Sequence, residues 1–468
     1  MGDHATHRAG QGLKHTPEAG DFVTAPADTI AAIATPAGRG GIGIVRVTGP
    51  LASAIAAAVT GSAVPERRPV HRRFLDADAQ PIDDGLALFF PGPRSFTGED
   101  VLELQGHGGP VVLDLLLERS LELGARLARP GEFTERAYLN GKLDLAQAEA
   151  VADLIDAGSR QAARSAQRAL QGEFSERIDT LMRRLTELRV YIEAALDFPD
   201  EELDLLRDGD VASRLAAIRA LLDRTLAAAG QGVLLREGLH LVLAGQPNVG
   251  KSSLLNRLAG RDSAIVTELP GTTRDVLREA IDIDGLPLHV IDTAGLRRSA
   301  DPIEREGIRR AWAEIERADL VLVLVDGTRG ADADDRAILK RLPAELPRLI
   351  VHNKIDLGGH AFGELCGELY VSAKTGQGIP ELIAWLKRFL GYRGDDQGVF
   401  IARRRHLEAL QHAVRHLDQA ERRLSEQTAP ELVAEELRCA QDALGRIIGR
   451  LDADALLGEI FASFCIGK

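Results

Sequence analysis

Gly245-Gln-Pro-Asn-Val-Gly-Lys-Ser252 is the stretch whose reading decides the fold of this chain. It follows the apolar run Leu239-His-Leu-Val-Leu-Ala244 and leads into the helical spacing of Ser253-Leu-Leu-Asn-Arg-Leu258. Strand, glycine-rich loop and helix in that order make a phosphate cradle, because the loop's backbone N–H groups and the positive end of the helix dipole face the same anion. With the spacing G-x-x-x-x-G-K-S, Lys251 reaches the β and γ oxygens of a nucleoside triphosphate and the Ser252 hydroxyl binds Mg²⁺. Asn248, Val249, Gly250 and Ser253 complete the candidate contacts of the loop and the first helical turn.

Base choice is read further along. Asn353-Lys354-Ile-Asp356 follows the apolar run Leu349-Ile-Val351, where a carboxylate can accept from the guanine N1 and N2 hydrogens that adenine lacks. Ser372-Ala373-Lys374 follows the next strand, Glu368-Leu-Tyr-Val371, and the ordered set points to GTP rather than ATP. Asp292-Thr293-Ala294-Gly295 ends the strand Leu288-His-Val-Ile291, so Asp292 can hold Mg²⁺ through water and the Gly295 N–H can sense the γ-phosphate. Between the first helix and the following strand, Gly271-Thr-Thr-Arg-Asp275 reads as a loop that closes over the metal, with Thr273 as its Mg²⁺ ligand. Leu296 stands where Ras-like hydrolases place a water-orienting glutamine, and leucine can neither donate nor accept. Another group must then orient the water. Glu304, at the head of a helix expected to begin near Pro302, is the nearest supplier, and a solvated first-turn glutamate favoured by the helix dipole is its other reading.

A chain of 468 residues is more than one domain. Its net charge of −13 excludes RNA binding by bulk electrostatics, so any RNA contact must rest on a local basic patch or on a partner. Aromatic content of 4% argues against stacking platforms for single strands. Cys366, Cys439 and Cys465 form neither C-x-x-C nor a metal-like cluster and read as reduced thiols of a cytoplasmic protein, with Cys465 a small buried thiol. Neither a signal-peptide pattern nor an apolar run of about 18 residues is present, which predicts a soluble chain with no membrane association.

Residues 1–22 lack hydrophobic periodicity and read as a disordered extension. Residues 23–141 read as a mixed α/β domain. In it, Thr29-Ile-Ala-Ala-Ile-Ala34, Thr35-Pro-Ala-Gly-Arg-Gly-Gly41 and Ile42-Gly-Ile-Val-Arg-Val47 make strand, glycine turn and strand. Gly38, Gly40 and Gly43 match G-x-G-x-x-G, but a dinucleotide site needs a helix after the glycines and a β-branched run follows instead. Arg46 inside that run is either outward-facing or an anion contact, and pattern alone leaves both open. Val101-Leu-Glu-Leu-Gln105 alternates, with Glu103 opposite Leu102 and Leu104, and residues 111–123 look helical. Residues 142–237 are helical, with Leu143, Leu145, Val151, Leu154 and Ile155 on one face, then a seam of Ile178, Leu181, Leu185, Leu188 and Ile192, and a further helix over 211–229. Residues 238–394 form the G domain. In residues 395–468 helical stripes return, at Leu407, Leu410, Val414, Leu417 and Leu424 and at Leu444, Ile447, Ile448 and Leu451. Neither helical block closes a core alone, so the expected architecture is one discontinuous helical bundle with the Ras-like P-loop domain inserted into it.

These nucleotide motifs, with the loop 35–41, Ser95-Phe-Thr-Gly-Glu-Asp-Val101, Ala128-Arg-Pro-Gly-Glu-Phe133, Asp197-Phe-Pro-Asp-Glu-Glu202 and the tail Phe464-Cys-Ile-Gly-Lys468, resemble the bacterial tRNA modification GTPases called MnmE or TrmE over about residues 25–468. The resemblance implies a homodimer joined through the N-terminal α/β domains. It implies work with the flavoprotein MnmG, as a heterotetramer, to place an aminomethyl or carboxymethylaminomethyl group on C5 of the wobble uridine of certain tRNAs. A 5-formyl-tetrahydrofolate-type carrier is implied in the N-terminal domain, contacted by Arg46, Glu103, Lys142 and Lys468, which makes Arg46 a ligand contact. A K⁺ ion is implied in place of an arginine finger, held by Asn248 and by the loop Thr267-Glu268-Leu269-Pro270-Gly271-Thr272, where Thr267, Leu269 and Thr272 offer mainly backbone oxygens. By the same resemblance Mg²⁺ falls to Ser252 and Thr273, and Glu304 would orient the attacking water through a bridging water. The alternative is a switch-type assembly GTPase of ribosome maturation, which lacks a reason for the N-terminal domain and the Cys-Ile-Gly-Lys tail.

Overall fold

A computed structural model describes residues 28–197, 210–260, 278–292, 318–359, 361–392, 399–426, 430–450 and 454–467. The extension expected over residues 1–22 lies outside the described residues. The chain divides into two compact units, Met1–Phe133 with Ile466–Lys468, and Thr134–Cys465. No helix among the described residues is long and apolar enough to cross a membrane.

The first unit is built on a sheet of β1 (Ile30–Ile33), β2 (Gly40–Thr48), β3 (Val70–Leu75), β4 (Pro81–Phe90), β5 (Val101–Gly108) and β6 (Arg126–Leu127), ordered β3-β4-β5-β2-β1-β6. Helices α1 (Ala52–Thr60) and α2 (Pro110–Glu122) cover one face. Alternation in β2 and β5 explains which face. The antiparallel register sets Val45 against Leu104, Arg46 against Glu103 and Val47 against Leu102. The four apolar side chains therefore enter the core with Ile55, Val59, Leu113 and Leu116, while Arg46 and Glu103 share the other face. Gly43 is a packing glycine: a Cβ there would lie 2.6 Å from the Leu113 methyls of α2. Strand, turn and strand is the arrangement of residues 30–48, with no helix directly after the glycines.

Helix α3 (Glu132–Leu139) spans the division between the units. In the second unit, α4 (Leu145–Ile155), α5 (Arg160–Leu170), α6 (Glu173–Asp197) and α7 (Asp210–Glu237) precede a second sheet. That stretch contains β7 (Leu239–Gly245), α8 (Lys251–Ala259), β8 (Arg278–Ile283), β9 (Leu286–Asp292), β10 (Leu320–Asp326), α9 (Ala333–Arg341), β11 (Arg348–Asn353), β12 (Gly363–Leu365), β13 (Glu368–Tyr370) and α10 (Ile379–Phe389). Among the described residues three helices follow: α11 (Arg404–Ser425), α12 (Pro430–Ile448) and α13 (Asp454–Ala462).

The sheet order is β12-β13-β11-β10-β7-β9-β8, with β9, β7, β10, β11 and β13 parallel and antiparallel strands at both edges. Central β10 reads Leu320-Val-Leu-Val-Leu-Val325 and every one of these residues is buried, as a strand covered on both faces requires. Its leucines join one apolar layer and Val321 and Val323 the other. A separate apolar cluster unites Ile178, Leu181, Leu185 and Leu188 of α6 with Ile218 and Leu222 of α7, Leu410 and Leu417 of α11, and Leu437 and Leu444 of α12. Residues from before and after the sheet thus share one helical core. Helix α7 runs to Glu237, eight residues past the expected end at 229, and stops at Gly238, where φ is +68° and a Cβ would meet the Pro287 carbonyl at 2.6 Å.

Two expectations are corrected. Ile155, assigned to the inner face of α4, is 47% exposed, and the buried positions are Leu145, Ala146, Ala148, Glu149, Ala150 and Asp153. Leu145 and Leu154 do face the core, but apolar spacing extended the face to Ile155 because the inward positions Glu149 and Asp153 carry carboxylates. Cys465, expected to be buried, is exposed: Phe464 fills the buried position after α13, leaving the thiol outward.

Candidate GTP site

Gly245 closes β7 at the C-terminal end of the parallel strands, where ligands of open α/β sheets bind. Its φ is +149° and a Cβ would stand 2.5 Å from the Leu324 carbonyl of β10, so the loop can leave the strand only through glycine. Asn248 adopts φ +63°, a left-handed conformation that asparagine tolerates. Gly250 is the N-cap of α8 at φ +99°, and a Cβ there would lie 2.2 Å from Asn353 Nδ2. Lys251 Nζ donates to the carbonyls of Gly245 (2.9 Å) and Gln246 (3.0 Å), which hold the ammonium over the loop.

Asn353, the buried last residue of β11, fastens two loops together. Its Nδ2 donates to the Val249 carbonyl at 2.8 Å, and its Oδ1 accepts from the Ala373 N–H at 2.9 Å. The phosphate loop and the Ser372-Ala-Lys374 loop are thereby joined through one amide. Asp356 accepts from Ser372 Oγ at 2.7 Å, which fixes one carboxylate oxygen and orients the other. Lys354, at φ +66°, donates to Asp326 Oδ2 at 2.8 Å. Burial opposes the charge of Asp326, but Lys354 and Thr328 bring its carboxyl down to about 2. Arg257 of α8 donates to the Ala373 carbonyl at 3.0 Å and to the Lys374 carbonyl, a second brace on the same loop. Ser252 and Ser253 lie exposed in the first turn of α8.

Asp326, Arg257 and Gln246 were not singled out by motif. A signal for Asp326 existed: it ends the apolar run of β10 as Asn353 ends that of β11, and the parallel register sets the two opposite each other. Asp292 ends β9 opposite Leu243 of β7, on the side of the sheet's C-terminal edge expected for it. Thr267, Glu268, Leu269, Pro270, Gly271, Thr272, Thr273, Thr293, Ala294, Gly295, Leu296 and Glu304 lie outside the described residues.

Two family models match this chain, the TrmE N-terminus over residues 29–142 and the MnmE helical domain over residues 145–465. The tRNA modification GTPase MnmE of Thiobacillus denitrificans is 59% identical over 444 residues, covering 94% of this chain and 98% of that protein. The chain belongs to the MnmE family of tRNA modification GTPases. The MnmE of Yersinia pestis is 58% identical over 450 residues, covering 94% of this chain and 99% of its own length. Among solved structures, Era of Aquifex aeolicus is 27% identical, with 38% of this chain and 66% of that one covered and a TM-score of 0.27.

In this MnmE-family chain the four N-terminal candidates are distributed unevenly. Arg46 and Glu103 are together: Arg46 Nε and Nη2 donate to Glu103 Oε1 at 3.1 and 2.9 Å. Arg46 Nη1 donates to the Gly467 carbonyl at 3.3 Å, and its guanidinium carbon lies 5.8 Å from the centre of the Phe133 ring. Arg46 thus stands in a half-buried cross-strand ion pair. Lys142 is exposed in the turn after α3 and belongs to the other unit, and Lys468 lies outside the described residues.

The helical core of the MnmE-family chain holds a charge cluster that apolar periodicity could not reveal. Glu149 of α4 receives Arg405 through both oxygens, at 2.8 and 2.7 Å, and His406 Nε2 at 2.8 Å. Asp153, one turn on, receives Arg403 and Arg236, each at 2.9 Å. The Arg403 N–H donates to His406 Nδ1 at 3.1 Å, so the imidazole is neutral and its proton sits on Nε2, facing Glu149. Burial opposes ionisation of Glu149, yet His406 and Arg405 hold its carboxyl far below the usual range, and burial pushes the His406 imidazole below its usual value.

Proposed function

We propose that this chain is a K⁺-dependent GTP hydrolase that, with the flavoprotein MnmG, modifies C5 of the wobble uridine of certain tRNAs in the cytoplasm, as a homodimer. The observation that carries the GTP site is the Asn353 clamp between the phosphate loop and the Ser372-Ala-Lys374 loop, because it presents Asp356 beside a strand-end cradle in one preorganised unit. Asp356 reads the guanine N1 and N2 hydrogens with the oxygen that Ser372 leaves available. Lys251 turns from the Gly245 and Gln246 carbonyls onto the β and γ phosphate oxygens, an exchange of one set of oxygen acceptors for another.

One observation supports cation sites here. A glycine-bounded loop that already gathers carbonyl oxygens around an ammonium suits a cationic site. Ser252 and Thr273 would hold Mg²⁺, and Asn248 with the backbone oxygens of Thr267, Leu269 and Thr272 would hold K⁺. Bound there, the cations neutralise charge that develops on the phosphates. Glu304 orients the attacking water in place of the glutamine missing at Leu296. In the N-terminal unit, Arg46 and Glu103 offer a donor and an acceptor side by side, suited to a polar ring edge or carboxylate of a 5-formyl-tetrahydrofolate-type carrier, with Lys142 and Lys468 as further cations.

Two measurements test this. GTP turnover in KCl is expected to exceed that in NaCl at equal ionic strength by at least about tenfold, within the range attributed to a finger charge; equal rates remove the K⁺ mechanism. Bulk tRNA from cells lacking the chain is expected to lose its modified wobble uridine on nucleoside analysis. An unchanged profile leaves the assembly-factor reading in its place.

A further inference from the structure

Cations concentrate in two short runs of this acidic sequence, Arg67-Arg68-Pro-Val-His71-Arg72-Arg73 and Arg403-Arg404-Arg405-His406. Internal pairing accounts for the second. Arg403 and Arg405 hold Asp153 and Glu149, Arg404 holds Glu237, and His406 faces Glu149. The first run has no such explanation. Arg67, Arg68, His71 and Arg73 are exposed. Among the described residues, the run's one carboxylate pair is Arg73 with Asp84 at 3.5 Å, with side chains 63% and 53% exposed. An ion pair so wet and so long neutralises little. Arg72 Nη1 turns to the His71 carbonyl at 3.1 Å, and its Nε is buried without a hydrogen-bond partner among the described residues.

The fold gathers these cations at one border of the sheet, His71 and Arg73 on its exposed face and Arg72 on the face that buries Phe74. Among the described residues, strand β3 is an outer strand of the first sheet and pairs only with β4, so no described strand covers its other edge. Arg67 and Arg68 stand just before it, and the Arg67 N–H, from a residue at φ +55°, is tied to the Phe89 carbonyl at 2.8 Å. A bare sheet edge invites another strand or a ligand that matches its charge. Antiparallel pairing with a second copy would set arginine and histidine against their own kind, which is destabilising. A nucleic acid backbone, with one negative charge per nucleotide, matches a row of cations and repays its desolvation by releasing counterions.

We propose that Arg67, Arg68, His71, Arg72 and Arg73 form a docking surface for the phosphate backbone of tRNA, a proposal that rests on tRNA being the substrate. The surface positions the RNA and carries no base preference.

Fluorescence anisotropy of labelled bulk tRNA with the full-length chain, across a salt series, tests it. Arg67→Glu/Arg68→Glu is compared with wild type and with Arg183→Glu/Arg184→Glu, an equal charge change at exposed positions of α6. The strip variant is expected to lose at least about tenfold in affinity and to flatten the log–log salt slope by roughly 1–2, while the control stays within about twofold. Both variants are expected to keep wild-type GTP turnover, which shows that they fold. Unchanged affinity and slope in the strip variant, an equal loss in the control, or a wild-type chain with no salt-dependent tRNA affinity overturns the proposal. A changed monomer–dimer ratio with unchanged tRNA affinity also overturns it and makes the edge a protein interface. The functional reading is judged separately: a wobble-uridine profile altered in cells lacking the chain, with tRNA binding unaffected in the strip variant, overturns the docking surface alone.

Discussion

Asn353 concentrates more of the candidate site in one side chain than its motif suggests. The N-K-x-D spacing marks the residue as near the base, but the amide spends both of its ends on backbone, at Val249 and at Ala373. Asn353→Ala strands a buried carbonyl and a buried N–H, each costing about 1–3 kcal/mol. The expected outcome is a lower melting temperature in the nucleotide-free protein, with guanine nucleotide affinity reduced together with it in calorimetric titration. A variant that binds weakly but melts normally would show that the amide serves the ligand and not the loops. Gly250→Ala attacks the same junction from the other side, since the added methyl would lie 2.2 Å from the Asn353 amide nitrogen at φ +99°. It is expected to cost at least as much stability as Asn353→Ala, because the left-handed strain adds to the displaced amide.

At the scale of elements, α4 shows what periodicity can and cannot reveal. The α6 seam of Ile178, Leu181, Leu185 and Leu188 was legible because every buried residue from Ile178 to Ile192 is apolar. In α4 the inward positions include Glu149 and Asp153, and their partners lie more than 80 residues away in sequence, with separations of 83 for Arg236 and 257 for His406. No local pattern announces such pairs. Their acid response follows from the shifts. His406 stays neutral when folded but would take up a proton in the unfolded chain below about 6.5, so stability falls as pH drops through that value. Glu149 stays ionised when folded, and below 4.5 the unfolded chain binds a proton there too, so the loss steepens. Urea midpoints measured from pH 8 to 4 are expected to show both limbs, with His406→Gln flattening the upper one. Glu149→Gln is expected to flatten the lower limb and to cost about 3–5 kcal/mol near neutrality, because it leaves buried guanidinium charge without its carboxylate. A Glu149→Gln protein as stable as wild type would mean that water reaches the cluster.

Over the whole molecule, the motifs of the candidate ligand site were legible and those that join distant segments were not. Gly245 to Ser252 declared itself by spacing, whereas nothing in Phe464-Cys-Ile-Gly-Lys468 says that Phe464 is buried and Cys465 exposed. The chain's last residues belong with its first sheet: Gly467 accepts from Arg46, and its own Cβ would lie 2.5 Å from the Ile33 carbonyl at φ +92°. Gly467→Ala imposes left-handed strain of about 1–2 kcal/mol, enough to raise the open fraction of the tail about tenfold. Carboxypeptidase digestion is expected to release the terminal residues faster by that factor, and an unchanged rate would place the tail's anchorage elsewhere. The sequence separation of 257 from Glu149 to His406 also fixes an order of events at birth. A ribosome adding about 5–20 residues per second needs roughly 10–50 s to cover them. Through that interval the carboxylates of α4 have emerged and Arg236 can already meet Asp153, but Arg403, Arg405 and His406 have not been translated, so this part of the helical core waits while the entire nucleotide-binding sheet is made.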